Sequence, residues 1–274
     1  MKTILVPVDF SPASRKAAEY AAMLAKQLDT ELFLLHVYTD PVPVMEGSIP
    51  IATIDIELQK EYRVQVQAEA GRLMEEYGVR AKGEAMTGFK GDVIKEMADE
   101  LDAGLICVGR KTRKHKPIFE STALKTVRKT DIPVMVVPEG AVLQLPKHIV
   151  LAVDYKEMLH QDCVMPLFDL IKLNSASLTV LHVEKTGAEI LPGEVPEKLQ
   201  MDRVLSRITY MHEKLENENV EEGILKFIGS HPTDLLVMIA HRHNLFTRIF
   251  GDIHTRPVAF ATAIPLLVLK NEEN

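Results

Sequence analysis

Several absences narrow the classes of protein to which this chain can belong. Two cysteines in 274 residues are too few for a disulfide framework, and both lie in apolar or helical patterns typical of reduced core thiols. No apolar run approaches the ~20 residues that a membrane helix needs. The apolar run near the N-terminus is broken by Pro7 and ends at Asp9, so it is too short for a secretion signal. We therefore expect a cytoplasmic protein without a membrane partner.

Motifs that carry chemistry are equally scarce. The chain contains no G-x-S-x-G, H-E-x-x-H, G-x-x-x-x-G-K-[S/T] or G-x-G-x-x-G segment. His241, His243 and His254 have no cysteine or carboxylate at zinc-ligand spacing beside them. A net charge of -7 argues against a protein that coats nucleic acid. We therefore expect no catalytic residues, no metal site and no nucleic-acid partner.

The chain does contain an internal repeat, in which one order of apolar segments occurs twice. The segment "KTILVPVD" at 2–9 recurs as "KHIVLAVD" at 147–154, and "LFLLHV" at 32–37 recurs as "LTVLHV" at 178–183. Two later apolar runs, at 104–109 and 132–138, also have counterparts in the same order, at 235–240 and 264–270. Such ordered self-similarity indicates an internal duplication. We predict two domains, 1–140 and 141–274.

Each half alternates apolar runs with helical patterns. In the first half, runs at 3–8, 32–37, 104–109 and 132–137 and a more polar one at 79–86 predict five strands. Helices are predicted from Ser11-Pro12, over about 57–77, after Gly91-Asp92 and over about 121–130. In the second half, Pro166 should delay or kink the first helix, the second helix near 197–206 is short, and 207–215 is the third strand. This alternation predicts an α/β fold in which each half is a doubly wound, five-stranded parallel sheet.

Ligands of open parallel sheets bind beyond the carboxyl ends of the strands. In the first half that rule selects Pro7 to Phe10, the end of the second strand at Val37, and the loop after Gly109. Asp9 has two interpretations that the sequence leaves open. Its carboxylate could accept a hydrogen bond from a ligand's amino or hydroxyl group, or from backbone amides of its own turn.

The segments "ILVPVDFSPAS", "LFLLHV", "LICVGR" and "STALKTVRKTDIPVMVVP" together resemble the universal stress protein family. The duplication makes the chain similar to tandem members, which carry two copies in one chain. The resemblance implies a flavodoxin-like, Rossmann-like sheet in each half. It also implies that the last strands, 132–137 and 264–269, pair the halves into a pseudo-dimer.

Many members of that family bind ATP through a loop of the form G-x-x-G, nine residues, then G-[S/T], in which glycines let backbone amides close on phosphate. Carried onto this chain, the resemblance matches Gly109 to the first glycine, whereas Thr112 replaces the second and Glu120-Ser121 replace the final pair. The second half has Ala240, His243 and Gly251-Asp252 at these positions. Glu120 would repel phosphate, but the basic residues of 110–116 could bind it through side chains, or could form a solvated face.

The resemblance therefore implies a non-catalytic stress-response or signalling protein with a degenerate site for ATP or a related nucleotide in the first half. Pro7, Asp9 and Val37 would surround the base and ribose. The phosphates would lie against Gly109, Arg110, Lys111, Thr112, Ser121 and Thr122. Two alternatives stay open: a nucleotide-free protein-interaction module that docks an unknown protein through loops such as that of Phe246 and Phe250, and a weak ATP hydrolase. The sequence also leaves open a homodimer of tandem chains.

Overall fold

The computed structural model describes residues 3–39, 56–111, 126, 129–154, 160–186, 194–240 and 262–271. Elements of the first half, in chain order, are β1 (Thr3–Pro7), α1 (Pro12–Leu28), β2 (Glu31–Tyr38), α2 (Ile56–Tyr77), β3 (Arg80–Thr87), α3 (Lys90–Glu100), β4 (Leu105–Arg110) and β5 (Val134–Pro138). Those of the second half are β6 (His148–Val153), α4 (Met165–Asn174), β7 (Ser177–Glu184), α5 (Glu194–Leu205), β8 (Tyr210–Glu216), α6 (Val220–Ser230), β9 (Leu235–Ala240) and β10 (Leu266–Lys270). Of the fourth helix predicted at 121–130, Thr126, Lys129 and Thr130 lie within the described residues; the first two are helical, and Thr130 lies outside the helix.

All ten strands form one sheet, in the order β3-β2-β1-β4-β5-β10-β9-β6-β7-β8. Neighbouring strands are parallel except at the centre, where β5 and β10 run antiparallel with Met135 opposite Leu267. The predicted α/β class and the parallel five-stranded unit in each half are thus confirmed. Because the central pair is antiparallel, the carboxyl ends of the strands of the two halves lie at opposite edges of the sheet. Each half therefore presents its own ligand-binding edge.

The sequence of α1 explains why that helix begins and ends where it does. The Ser11 hydroxyl accepts a hydrogen bond from the Ser14 N–H, and Pro12 occupies the first turn, where its missing N–H costs nothing. Asp29 ends the helix in the left-handed conformation, with its N–H bonded to the Ala25 carbonyl. This confirms the predicted helix start and places it directly after β1.

The equivalent helix of the second half begins later. Gln161–Val164 form one turn of 3-10 helix, and α4 starts only at Met165, with Pro166 in its first turn. The prediction that Pro166 delays this helix is confirmed. As a result α1 begins three residues after Asp9, whereas α4 begins eleven residues after Asp154.

Apolar side chains cover both faces of the sheet, as expected for parallel strands packed under helices. Within the described ranges, no helix is long and apolar enough to cross a membrane.

The hydroxyl of Tyr20 is an exception inside this core. Tyr20 lies on α1 with 1% of its surface exposed, and among the described residues its hydroxyl has no hydrogen-bond partner. Because a buried hydroxyl without a partner destabilises the folded state, Tyr20→Phe should raise the free energy of unfolding by about 1 kcal/mol. Urea denaturation of both proteins measures this change, and a loss of stability in Tyr20→Phe would show that the hydroxyl is hydrogen-bonded in solution.

Candidate functional site

The candidate site begins at the turn that joins β1 to α1. Asp9 Oδ1 accepts hydrogen bonds from the Ser11 N–H, at 3.1 Å, and from the Ser11 hydroxyl. The Asp9 N–H donates to the Ser14 hydroxyl at 3.2 Å. Between them the backbone of Phe10 adopts φ 57°, a left-handed conformation that residues other than glycine rarely adopt. The turn is therefore held in one geometry, and Oδ1 of Asp9 is the atom that fixes it.

The other carboxylate oxygen of Asp9 faces outward. Lys111 Nζ lies 3.3 Å from Oδ2, and the two side chains are 47% and 40% exposed for Lys111 and Asp9, respectively. Partial burial by itself would raise the pKa of Asp9. The hydrogen bonds from Ser11 and Ser14 and the charge of Lys111 outweigh it and lower that pKa to about 2. Asp9 is therefore a fixed anion at neutral pH, with one oxygen bound in the turn and one accessible to a ligand.

The backbone of Val37 opens towards the same place. The β1–β2 ladder continues one residue past β1, where the Val8 N–H donates to the Leu35 carbonyl at 2.9 Å. Because peptide groups of alternate residues in a strand point to the same side, the Val37 N–H and carbonyl also face the β1 side, beyond the point where that strand ends. Within the described part of the chain, neither forms a backbone hydrogen bond there. The Val37 peptide can therefore offer a donor and an acceptor beside Asp9.

His36 explains why the ladder stops at this point. Its imidazole Nδ1 donates to the Val8 carbonyl at 2.8 Å, which takes the place of the next backbone donor. The ring is buried and stacks on Phe10, with centroids 4.7 Å apart, and it makes a tilted ring contact with Tyr62 of α2, with centroids 4.5 Å apart. Burial lowers the pKa of His36, although the Val8 carbonyl opposes that shift. His36 is thus a neutral positioning group beneath the site.

The repeat preserves this histidine. In the second half, His182 Nδ1 donates to the Val153 carbonyl at 3.2 Å, as His36 does to Val8. Both histidines therefore support the end of the first strand of their half through the same hydrogen bond. Asp154 occupies the position of Asp9, but the residues directly after it lie outside the described ranges.

Gly109, predicted to approach phosphate, has a packing role that the sequence did not reveal. A Cβ at this position would lie 2.2 Å from the Ala13 carbonyl oxygen and 2.7 Å from the Ser14 nitrogen, in the first turn of α1. The end of β4 can therefore pass under α1 only if residue 109 has no side chain. In the second half α4 begins further from β6, and the equivalent residue is Ala240.

Arg110 and Lys111 follow Gly109 but reach different partners. The Arg110 guanidinium is buried and donates to the Thr262 carbonyl, just before β10. Burial lowers the pKa of Arg110. Arg110 therefore takes part in the contact between the halves, whereas Lys111 remains at the cleft beside Asp9.

The remaining predicted residues divide into two groups. Pro7 is the last residue of β1, buried and in register with Leu35, directly beneath the turn. Thr112, Ser121 and Thr122 lie outside the described residues. The structure thus brings together Pro7, Asp9, Val37 and Lys111. It adds Ser11, Ser14 and Tyr62, of which Ser11 alone was predicted from the sequence, as the start of the helix.

Across the described ranges, no group of three or more His, Cys, Asp and Glu side chains is placed to hold a metal ion. The cleft instead combines a fixed carboxylate, an open peptide edge and an exposed ammonium group. These are the partners that a polar, anionic small molecule requires.

The fold and the site define a tandem α/β protein in which each half is a Rossmann-like unit with a carboxylate at the end of its first strand. A family model described as the universal stress protein family matches residues 1–138. The chain belongs to that family, as a tandem member.

Individual relatives agree with this assignment. A universal stress protein of Methanocaldococcus jannaschii is 31% identical over 142 residues, which are 50% of this chain and 81% of that protein. A universal stress protein of Synechocystis is 24% identical over 98% of this chain and 100% of its own length, so both halves have counterparts there. The crystal structure of a universal stress protein from Archaeoglobus fulgidus covers 98% of each chain with a TM-score of 0.71 at 18% identity, which shows the shared tandem fold.

Proposed function

We propose that the first half binds an adenine nucleotide, ATP or a close relative, as a signalling ligand that it does not turn over. The observation that carries the proposal is that the outward Asp9 Oδ2 and the Val37 peptide edge lie at the carboxyl ends of two neighbouring strands, β1 and β2. The carboxylate suits a ribose hydroxyl or an amino group. The peptide N–H and carbonyl suit the hydrogen-bonding edge of a base. Lys111 supplies a cation for phosphate within the same cleft.

The non-catalytic part of the proposal rests on the state of the groups nearest the cleft. Asp9 has a pKa of about 2, which makes it a poor general base at neutral pH. His36 is buried with its Nδ1 bound to Val8, and its pKa is lowered.

The two cysteines bear on the compartment. Cys107 and Cys163 are both buried free thiols. Free thiols are the state favoured in a reducing compartment, so we propose that the protein is cytoplasmic.

A thermal shift assay tests the nucleotide site. With ATP at ten times its dissociation constant, the wild-type protein should gain about 1.4 kcal/mol of stability, or about 3–5 °C in Tm. Asp9→Asn should lose most of this shift, since a neutral amide binds a hydroxyl or amine donor more weakly than a carboxylate does. The turn should survive, because the Asn carbonyl oxygen can still accept from Ser11.

Asp154→Asn is the matched control, because Asp154 holds the equivalent position in the second half. It should keep the full shift. A shift lost in Asp154→Asn and kept in Asp9→Asn would place the nucleotide in the other half. Failure of the wild-type protein to respond to millimolar ATP, with and without magnesium, would refute nucleotide binding and favour the nucleotide-free interaction module.

A further inference from the structure

Lys111 lies at the carboxyl end of β4, in contact with the turn that holds Asp9. It directly follows the last residue of β4, and it reaches across to Asp9, 102 residues earlier in the chain, at the end of β1. Because β1 and β4 are parallel neighbours in the sheet, the contact joins the carboxyl ends of two adjacent strands. Lys111 therefore occupies the outward oxygen of the carboxylate that a nucleoside would use.

Both oxygens of Asp9 are thus engaged before any ligand arrives. Oδ1 accepts from Ser11 inside the turn, and Oδ2 accepts from Lys111 at 3.3 Å. The Ser11 bonds fix the backbone and cannot be released without rebuilding the turn. The Lys111 contact joins two partly exposed side chains, so it is the one that an incoming hydroxyl or amino group can displace.

We propose that Lys111 is a specificity-determining residue that makes the site selective for phosphorylated nucleotides over nucleosides, through an exchange of ion pairs. When a nucleotide binds, the Lys111 ammonium leaves Asp9 for a phosphate oxygen and frees Oδ2 for the nucleoside. A nucleoside has no phosphate to offer, so it must break the Asp9–Lys111 pair without compensation. This inference rests on the proposed nucleotide site and adds the basis of its selectivity.

The size of the effect follows from the exposure of the pair. Breaking a partly exposed ion pair lowers the affinity for adenosine by up to about fivefold. A charge-assisted contact between lysine and phosphate raises the affinity for ATP by about tenfold. In Lys111→Gln, adenosine should therefore bind more tightly and ATP more weakly. The cost of breaking the pair applies to both ligands and cancels in the ratio of the two affinities, so this ratio should fall by about tenfold.

Isothermal titration calorimetry of ATP and of adenosine with wild-type protein, Lys111→Gln and Lys82→Gln measures this ratio. Lys82→Gln is the matched control, since Lys82 forms a similar surface pair with Glu31, at 2.8 Å, next to the amino end of β2. It should leave both affinities unchanged. Equal weakening of ATP and adenosine in Lys111→Gln, or an unchanged ratio, would overturn the exchange while leaving the nucleotide site standing. Absence of binding of either ligand to all three proteins would overturn the site and the exchange together.

A second measurement tests the resting pair without a ligand. The pKa of the Asp9 carboxyl, followed by carbon-13 NMR in the ligand-free protein, should rise in Lys111→Gln and stay unchanged in Lys82→Gln. The rise should be smaller than that caused by Ser11→Ala, since the Ser11 hydrogen bonds lower this pKa more than the charge of Lys111 does. An Asp9 pKa that does not respond to Lys111→Gln would show that no pair exists to be exchanged.

Discussion

Gly109→Ala should lower the free energy of unfolding by about 3 kcal/mol, the upper end of what overpacking costs. The new methyl group would lie 2.2 Å from the carbonyl oxygen of Ala13, so β4 and the first turn of α1 would have to separate. Both contacting groups are backbone, and neither can move away by changing a rotamer. The midpoint of urea unfolding measures the loss, and the slope of the transition shows whether the unfolded surface has changed.

Gly71→Ala is the control for this substitution. Gly71 lies inside α2, and a Cβ added there meets nothing within 4 Å, so alanine should raise stability by about 0.5–1 kcal/mol through its better helix propensity. A Gly109→Ala protein as stable as the wild type would show that α1 and β4 do not approach as described. The glycine would then have to be explained by a ligand alone.

Arg110→Ala is expected to destabilise the protein by about 2 kcal/mol. Arg110 is 6% exposed, and its guanidinium donates to the Thr262 carbonyl of the other half. Alanine therefore removes a charged donor and leaves the Thr262 carbonyl without this hydrogen bond. Because the contact spans the β5–β10 centre of the sheet, the loss should affect the association of the halves. Urea denaturation of the full chain is the measurement.

Arg80→Ala provides the comparison. Arg80 also donates to a backbone carbonyl, that of Asp29 at 3.2 Å, but its side chain is 67% exposed. Water can replace that bond, so the expected loss is below about 0.5 kcal/mol. Similar losses in Arg110→Ala and Arg80→Ala would contradict a buried contact between the halves.

The fold could be predicted from the sequence because its determinants are local and repeated. The apolar runs carry no polar alternation, so they predict strands covered on both faces, and the repeat fixes their order twice. Ser11 and Pro12 predict the start of α1, and Pro166 predicts the later start of α4. None of these inferences depends on a contact between residues distant in the chain.

The site could be predicted only in part, because its geometry depends on distant contacts. The position of Asp9 follows from the end of β1, but its pairing with Lys111 depends on which strands are neighbours. Arg110 and Lys111 are adjacent cations that the sequence does not distinguish, yet one is buried between the halves and the other lies at the cleft. The ring contact between His36 and Tyr62 joins β2 to α2, and no sequence feature of either element predicts it.

Gly109 shows that a residue assigned to a ligand from the sequence can also be required by packing. Its match to a phosphate-loop glycine is consistent with a ligand, but its packing against α1 requires glycine whether or not a nucleotide binds. The difference between the halves supports this explanation, since Ala240 stands where α4 begins later. Retention of Gly109 is therefore evidence about the fold, and the proposed function depends on Asp9, Val37 and Lys111 instead.

The most direct test of the nucleotide site follows backbone amide signals in a nitrogen-15 NMR titration with ATP. The amides of Asp9 and Val37 should shift progressively and reach saturation, whereas Asp154 and Val183, their counterparts in the second half, should not move. Unchanged Asp9 and Val37 signals at millimolar ATP, or saturable shifts confined to the second half, would contradict a nucleotide site at the end of β1.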